Sequence, residues 1–226
     1  MALILNVETA TKVCSVALAK DGQLVAEKES KTEHFSHSEN LNTFIESLFE
    51  SVDFELNDLD ALAISMGPGS YTGLRIGVSS IKGLGYGLDL PVIGISSLKS
   101  LANLIEPNAE QLICPMFDAR RMEVYSSIFN HKLESLTNVE AVIIENGSYQ
   151  TYLNKQKVVF LGPGAEKCQD IITHSNAIFD LKTEVSAKGM ITLAEDKFKI
   201  KAFENLAYFE PFYLKDFIAG KPKQLL

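Results

Sequence analysis

Apolar residues fall in short unbroken runs at several places in the first half of the 226-residue chain, and at every third or fourth position in others. Leu3 to Val7 and Val13 to Leu18 predict two strands, and Gln23 to Glu27 predicts a third after the turn pair Asp21-Gly22. Leu41, Phe44, Ile45, Leu48, Phe49 and Val52 follow at helical spacing, behind Ser36-His37-Ser38-Glu39, which has the order of a capping box. Ala61 to Met66 predicts a buried strand. It ends in Gly67-Pro68-Gly69-Ser70-Tyr71-Thr72-Gly73-Leu74-Arg75 and opens into a glycine-rich helix reaching Leu88. Pro91 to Ile95 predicts another strand and Ser97 to Ile105 a short helix, so the first half reads β-β-β-α-β-α-β-α.

The second half echoes this order. Leu112 to Phe117 predicts a strand, Asp118-Ala119-Arg120-Arg121 a turn, and Glu123 to Phe129 the returning strand. In each half an apolar strand ends in an acid, Glu8 or Asp118, and the next strand begins five residues later, at Val13 or Glu123. A later strand in each half ends in Gly-Pro-Gly, at Gly67 and again at Gly162. The pattern predicts a duplicated α/β unit whose second copy is trimmed. From about Ser186 the chain reads as helical.

Five glycines, Gly73, Gly77, Gly83, Gly85 and Gly87, lie inside the second helix. Each costs about 1 kcal/mol relative to alanine, a deficit that close packing must offset. On a helical wheel Gly73, Gly77, Ser80 and Gly87 fall near one line, with Leu74, Val78 and Ile81 toward the sheet. The groove receives either another element of the same domain or the backbone of a second subunit.

Charge narrows the function. With 21 basic against 29 acidic residues the net charge is −8, which excludes a broad basic face for nucleic acid, so any RNA role requires a partner. Cys14, Cys114 and Cys168 lie too far apart for a zinc knuckle or redox motif, and a sparse odd count suits a reducing compartment. The N-terminus has no basic stretch and reaches an acid at Glu8, and no 18-residue apolar run occurs, so neither a secretory signal nor a membrane span is expected and the expected location is the cytoplasm.

Several residues carry candidate chemistry. Gly67 to Gly73 lacks the Gly-Lys-Ser/Thr of a P-loop and reads first as a structural turn, although a helix N-terminus can also receive an anion. His34 and His37, with Glu33 or Glu39, either share a metal or cap the following helix. Glu8 and Asp118 end corresponding strands and, with Thr9, can be drawn as an Mg²⁺-nucleotide site. Asp118-Ala119-Arg120-Arg121 is either an anion contact or a solvated hairpin turn. No serine or cysteine sits in a nucleophile elbow with a matched histidine.

Glu8-Thr9-Ala10-Thr11 with Cys14-Ser15-Val16-Ala17-Leu18, then His37-Ser38-Glu39, Gly67-Pro68-Gly69-Ser70-Tyr71-Thr72-Gly73-Leu74-Arg75-Ile76-Gly77, and Asp118-Ala119-Arg120-Arg121 with Glu123-Val124-Tyr125, together resemble the TsaB (YeaZ) family. The likeness runs along the chain and is strongest in residues 1–125. It implies the fold of actin, Hsp70 and the acetate and sugar kinases (ASKHA), with two RNase H-like lobes: residues 1–103, to which 205–226 return with a C-terminal helix, and a smaller lobe of 104–204.

The resemblance further implies a non-catalytic subunit of the machinery that places threonylcarbamoyl on N6 of the adenosine beside the anticodon of ANN-reading tRNAs. The partners implied are the paralogue TsaD, as a heterodimer, the ATPase TsaE, and tRNA through the complex, with a homodimer in isolation and no membrane. No cofactor of its own is implied; ATP, Mg²⁺ and a metal ion belong to the partner subunits. The family's interface uses the first two helices, which maps here to His37, Glu39, Leu41, Ile45, Phe49, Tyr71, Gly73, Arg75, Gly77, Ser80 and Leu84. Where the family commonly has Asp-Thr, this chain has Glu8-Thr9. The rival readings are a small Mg-ATP phosphotransferase or ATPase of the same fold, using Glu8, Thr9 and Asp118, and a peptidase-like activity.

Overall fold

The computed structural model describes residues 2–31 and 37–215. Three strands open the chain, β1 (Leu3–Glu8), β2 (Val13–Lys20) and β3 (Gln23–Lys31), followed by α1 (His37–Phe49), β4 (Ala61–Gly67), α2 (Tyr71–Gly87), β5 (Val92–Ser96) and α3 (Ser97–Ala102). The second half holds β6 (Gln111–Asp118), β7 (Glu123–Ser126), β8 (Glu140–Ile143), α4 (Gln150–Leu153), β9 (Lys157–Leu161), β10 (Ala177–Asp180) and α5 (Ile191–Lys199).

The strands form two five-stranded sheets, β3-β2-β1-β4-β5 and β8-β7-β6-β9-β10. In each, the first three strands are antiparallel neighbours and the last two join in parallel. Strand order and direction therefore repeat, element for element, as expected of a duplicated ASKHA unit. The trimming is also plain. Where the first copy has helices of 13 and 17 residues, the second has the four-residue α4 and a single 3₁₀ turn, Glu166–Cys168.

β1 is buried along its whole length because helices cover both faces of its sheet. Leu3, Leu5, Val7, Val16 and Leu18 pack against Leu41, Ile45 and Leu48 of α1 and Val78 and Ile81 of α2. The opposite face is lined with small residues, Ala2, Ala17, Ala19, Ala61 and Ala63, and receives Ala187, Met190, Ile191 and Ala194. The lobes meet through Ala10, Leu74, Leu98, Leu101, Phe117, Leu161 and Val185.

One expectation about the division of the chain is corrected, and a second falls only in part on the described residues. Residues 187–199, assigned to the 104–204 lobe, pack on the first sheet, because its alanine face leaves the depth that Met190 and Ile191 fill. The helix expected in 205–226 is absent from the described part. Glu204 bonds to Val92 of β5, Phe212 to Met66 of β4, and the intervening residues form an irregular strap, while 216–226 lie outside the described residues. Among the described residues no helix is long and apolar enough to cross a membrane.

Candidate partner-docking face and the sealed carboxylate

α2 starts where Ser70 Oγ accepts the Gly73 N–H, and it presents different chemistry on each side. Leu74, Val78, Ile81 and Gly85 face inward. A neighbouring flank carries Gly73 and Gly77, and there the chain's own β1–β2 loop lies against the helix. A Cβ on Gly73 would sit 2.2 Å from the Thr9 carbonyl oxygen, and one on Gly77 would sit 2.2 Å from Thr9 Oγ1 and 2.9 Å from Ile64 Cδ1. The close approach that these glycines permit is thus internal, so their assignment to a partner-binding groove is corrected.

The other flank is taken by the C-terminal strap. Lys82 Nζ donates to the carbonyls of Ala207 (3.2 Å) and Phe209 (2.9 Å), and Arg75 Nε donates to Tyr213 Oη at 3.0 Å. The Arg75 guanidinium also lies 4.0 Å from the centroid of the Tyr71 ring.

Between these flanks, Thr72, Ser79, Gly83, Tyr86 and Gly87 are exposed. A Cβ on Gly83 or Gly87 would meet nothing within 4 Å, and Tyr86 is 85% exposed. Tyr208, 84% exposed, stands on the strap between the two carbonyls that Lys82 holds. The open, side-chain-poor surface is therefore the C-terminal half of α2, turned from the Gly73–Gly77 part of the line drawn on the wheel and sharing only Gly87 with it.

The remaining candidates divide by burial. His37, Leu41 and Ile45 are buried, so their side chains belong to the lobe's own core. Glu39 and Arg75 are exposed, and Phe49, Tyr71, Ser80 and Leu84 are half-buried. His37 Nε2 lies 2.7 Å from the Thr11 carbonyl, and burial holds its imidazole below the usual histidine range, so it ties α1 to the β1–β2 loop. The metal reading that combined it with His34 and Glu33, and the Ser36 cap, lie outside the described residues. Among the described residues no three His, Cys, Asp or Glu side chains converge.

The proposed nucleotide pair does not come together as a site. Glu8 is fully buried; its Oε1 accepts the Ala10 N–H at 2.6 Å, while Oε2 has no hydrogen-bond partner among the described residues. Burial, partly offset by the Ala10 N–H and by the nearby polar groups of Ser65 and Thr9, pushes its carboxyl up from an ordinary 4.5 to about 7. Thr9 is also buried, wedged against α2. Asp118 is exposed, but Lys167 Nζ sits 2.5 Å from its Oδ1. A sealed carboxyl that burial biases toward its neutral form and a lysine-paired one are a poor fit to Mg²⁺, which needs ionised oxygens around an open hydrated site. A polar cleft of about 500 Å³ does lie between the lobes, but its Lys31 pairs with Glu184 and its Lys188 with Glu27.

Glu8 makes stability depend on pH. Between pH 4.5 and about 7 the folded chain binds a proton at Glu8 that the unfolded chain has released, so stability falls as pH rises through that window. The loss is about 3 kcal/mol across the window. Glu8→Gln is expected to flatten the urea-unfolding profile between pH 5 and 8 and to be the more stable form at the alkaline end. Parallel profiles for the two proteins would refute a raised carboxyl at this position.

Sequence reasoning missed Ser79, Gly83 and Tyr86 as a surface. The signal was present in the spacing of Leu74, Val78, Ile81 and Gly85, which marks the inner side and leaves 79, 83 and 86 opposite.

A family model described as TsaD, tRNA N6-adenosine threonylcarbamoyltransferase, matches residues 33–222. The chain is 31% identical over 194 residues to the tRNA threonylcarbamoyladenosine biosynthesis protein TsaB of Bacillus subtilis (strain 168), covering 84% of this chain and 80% of that one. It is 29% identical over 229 residues to the protein of the same name from Escherichia coli (strain K12), covering 96% of each. Among solved structures, YeaZ from Pseudomonas aeruginosa matches with a TM-score of 0.78 at 23% identity, covering 95% of this chain and all of that one, a likeness of fold.

Proposed function

Because this chain belongs to the TsaB (YeaZ) family of tRNA threonylcarbamoyladenosine biosynthesis proteins, we propose that it is an accessory subunit with no active site of its own, pairing through the outer face of α2 with a TsaD-type transferase. The transferase, helped by a TsaE-type ATPase, modifies the adenosine beside the anticodon in tRNAs reading ANN codons, in the cytoplasm. ATP, Mg²⁺ and the catalytic metal belong to those partners. The same face joins two copies of this chain when the transferase is absent.

The observation that carries this reading is the open face itself. Gly83 and Gly87 leave room for a foreign helix to approach backbone to backbone, and Tyr86 supplies an aromatic anchor with nothing of its own chain over it. The inward placement of Glu8 and the pairing of Asp118 with Lys167 support a subunit that lends surface rather than chemistry.

The test is reconstitution. This chain, the transferase and the ATPase from one source are mixed with unmodified tRNA, ATP and a preformed activated threonylcarbamoyl donor, and modified adenosine is measured by mass spectrometry. Modification is expected only with this chain present, together with its co-purification with the transferase. Equal yield without it, or turnover of ATP by this chain alone, would overturn the reading.

A further inference from the structure

The β6–β7 hairpin tip is built at a conformational cost. Arg120 and Arg121 both have positive φ, 72° and 48°, in the left-handed region that Asn-Gly pairs occupy cheaply and arginine does not. Lys167 holds them there. Its ammonium donates to Asp118 Oδ1 at 2.5 Å, to the Arg121 carbonyl at 2.6 Å and to the Glu123 carbonyl at 2.7 Å, which uses all three of its protons on this one turn. Asp118 Oδ1 also accepts the Arg120 N–H at 2.8 Å, and Lys215 of the C-terminal strap pairs with Glu123.

The two acids at the base of the tip are thus matched by lysines, which leaves the arginines as surplus charge. Both are exposed, and neither guanidinium has a hydrogen bond or ion pair among the described residues. A stiff turn that carries two unused planar forks is suited to phosphate oxygens.

We infer that this tip is the point at which the subunit touches the phosphodiester backbone of the RNA substrate, an inference that rests on the pairing proposed above. RNA is favoured over an acidic protein by the charges: the acids at the base of the tip are paired with Lys167 and Lys215, leaving two guanidiniums whose forks match phosphate oxygens, while the exposed apolar neighbour Ile143, opposite Glu123, is too little for the packed apolar centre of a protein hot spot. The net charge of −8 repels a polyanion elsewhere, so the contact has to be local. Two phosphate contacts are weak alone and become effective when the transferase already holds the RNA nearby.

The test compares the wild-type complex with one carrying Arg120→Asn and Arg121→Gly, a pair chosen because it fits the left-handed turn. The variant chain is expected to melt at the same temperature as wild type or slightly higher and to pair normally with the transferase. The complex is expected to bind tRNA about tenfold more weakly at 0.1 M salt, with the slope of log affinity against log salt reduced by about 1.5. Lysine at both positions should restore most of that slope. Unchanged tRNA affinity and slope would overturn the inference alone, and so would weakened pairing with the transferase at unchanged tRNA binding, which would mark the tip as a protein contact. Failure of the wild-type chain to pair at all would overturn the proposed function, and this inference with it.

Discussion

Gly77→Leu is expected to destabilise the isolated chain by about 3 kcal/mol or more, at the upper end of what overpacking a core costs. The added Cβ alone would lie 2.2 Å from Thr9 Oγ1 and 2.9 Å from Ile64 Cδ1, and Thr9 is buried with nowhere to retreat. Gly73→Ala acts in the same way against a still harder neighbour, the Thr9 carbonyl oxygen, which moves only if β1 moves. In a chain of this size that loss corresponds to a fall in Tm of about 10 °C. Thermal unfolding of the isolated protein decides the matter. A melting temperature close to wild type, combined with weaker pairing to the transferase, would return these glycines to the partner groove that sequence reasoning assigned them.

Gly83→Arg should do the reverse. Nothing lies within 4 Å of a Cβ there, so the monomer accepts the side chain, and replacing a mid-helix glycine adds about 1 kcal/mol of stability. A long cationic side chain on the face proposed to admit a partner's backbone should weaken pairing with the transferase about 100-fold, or roughly 3 kcal/mol. Tyr86→Ala should cost a comparable amount through loss of the anchor. Ile143→Arg, on the exposed edge of the second lobe where Ile143 is 68% exposed, is the control and should leave pairing intact. Calorimetry of the purified pair reads all three. Full affinity for Gly83→Arg would remove α2 from the interface.

These two glycine substitutions point in opposite directions although the residues are six apart on one helix, and that contrast shows what could be read in advance. The repeat was legible because it is local: an acid closing a strand, a five-residue step to the next strand and a Gly-Pro-Gly turn recur in order, and the two sheets share one strand order. The weaker strands were not. β8 and β10 are four residues long and half-buried, which leaves neither an apolar run nor a clear alternation. Lys167 has no local signal either, since its three acceptors lie more than 40 residues away along the chain.

The sequence by itself determined the duplicated α/β plan, the family, the glycine-rich helix and the acidic balance, because each is written in the spacing and identity of neighbouring residues. Tertiary structure alone decided which glycines are spoken for, which carboxylate is sealed and which arginines are left free. Those properties depend on what another part of the chain brings to within a few ångströms. A wheel drawn for α2 shows that one side must be inner, but only the folded position of the Thr9 loop shows that Gly73 and Gly77 are already covered and that Gly83 and Gly87 are not.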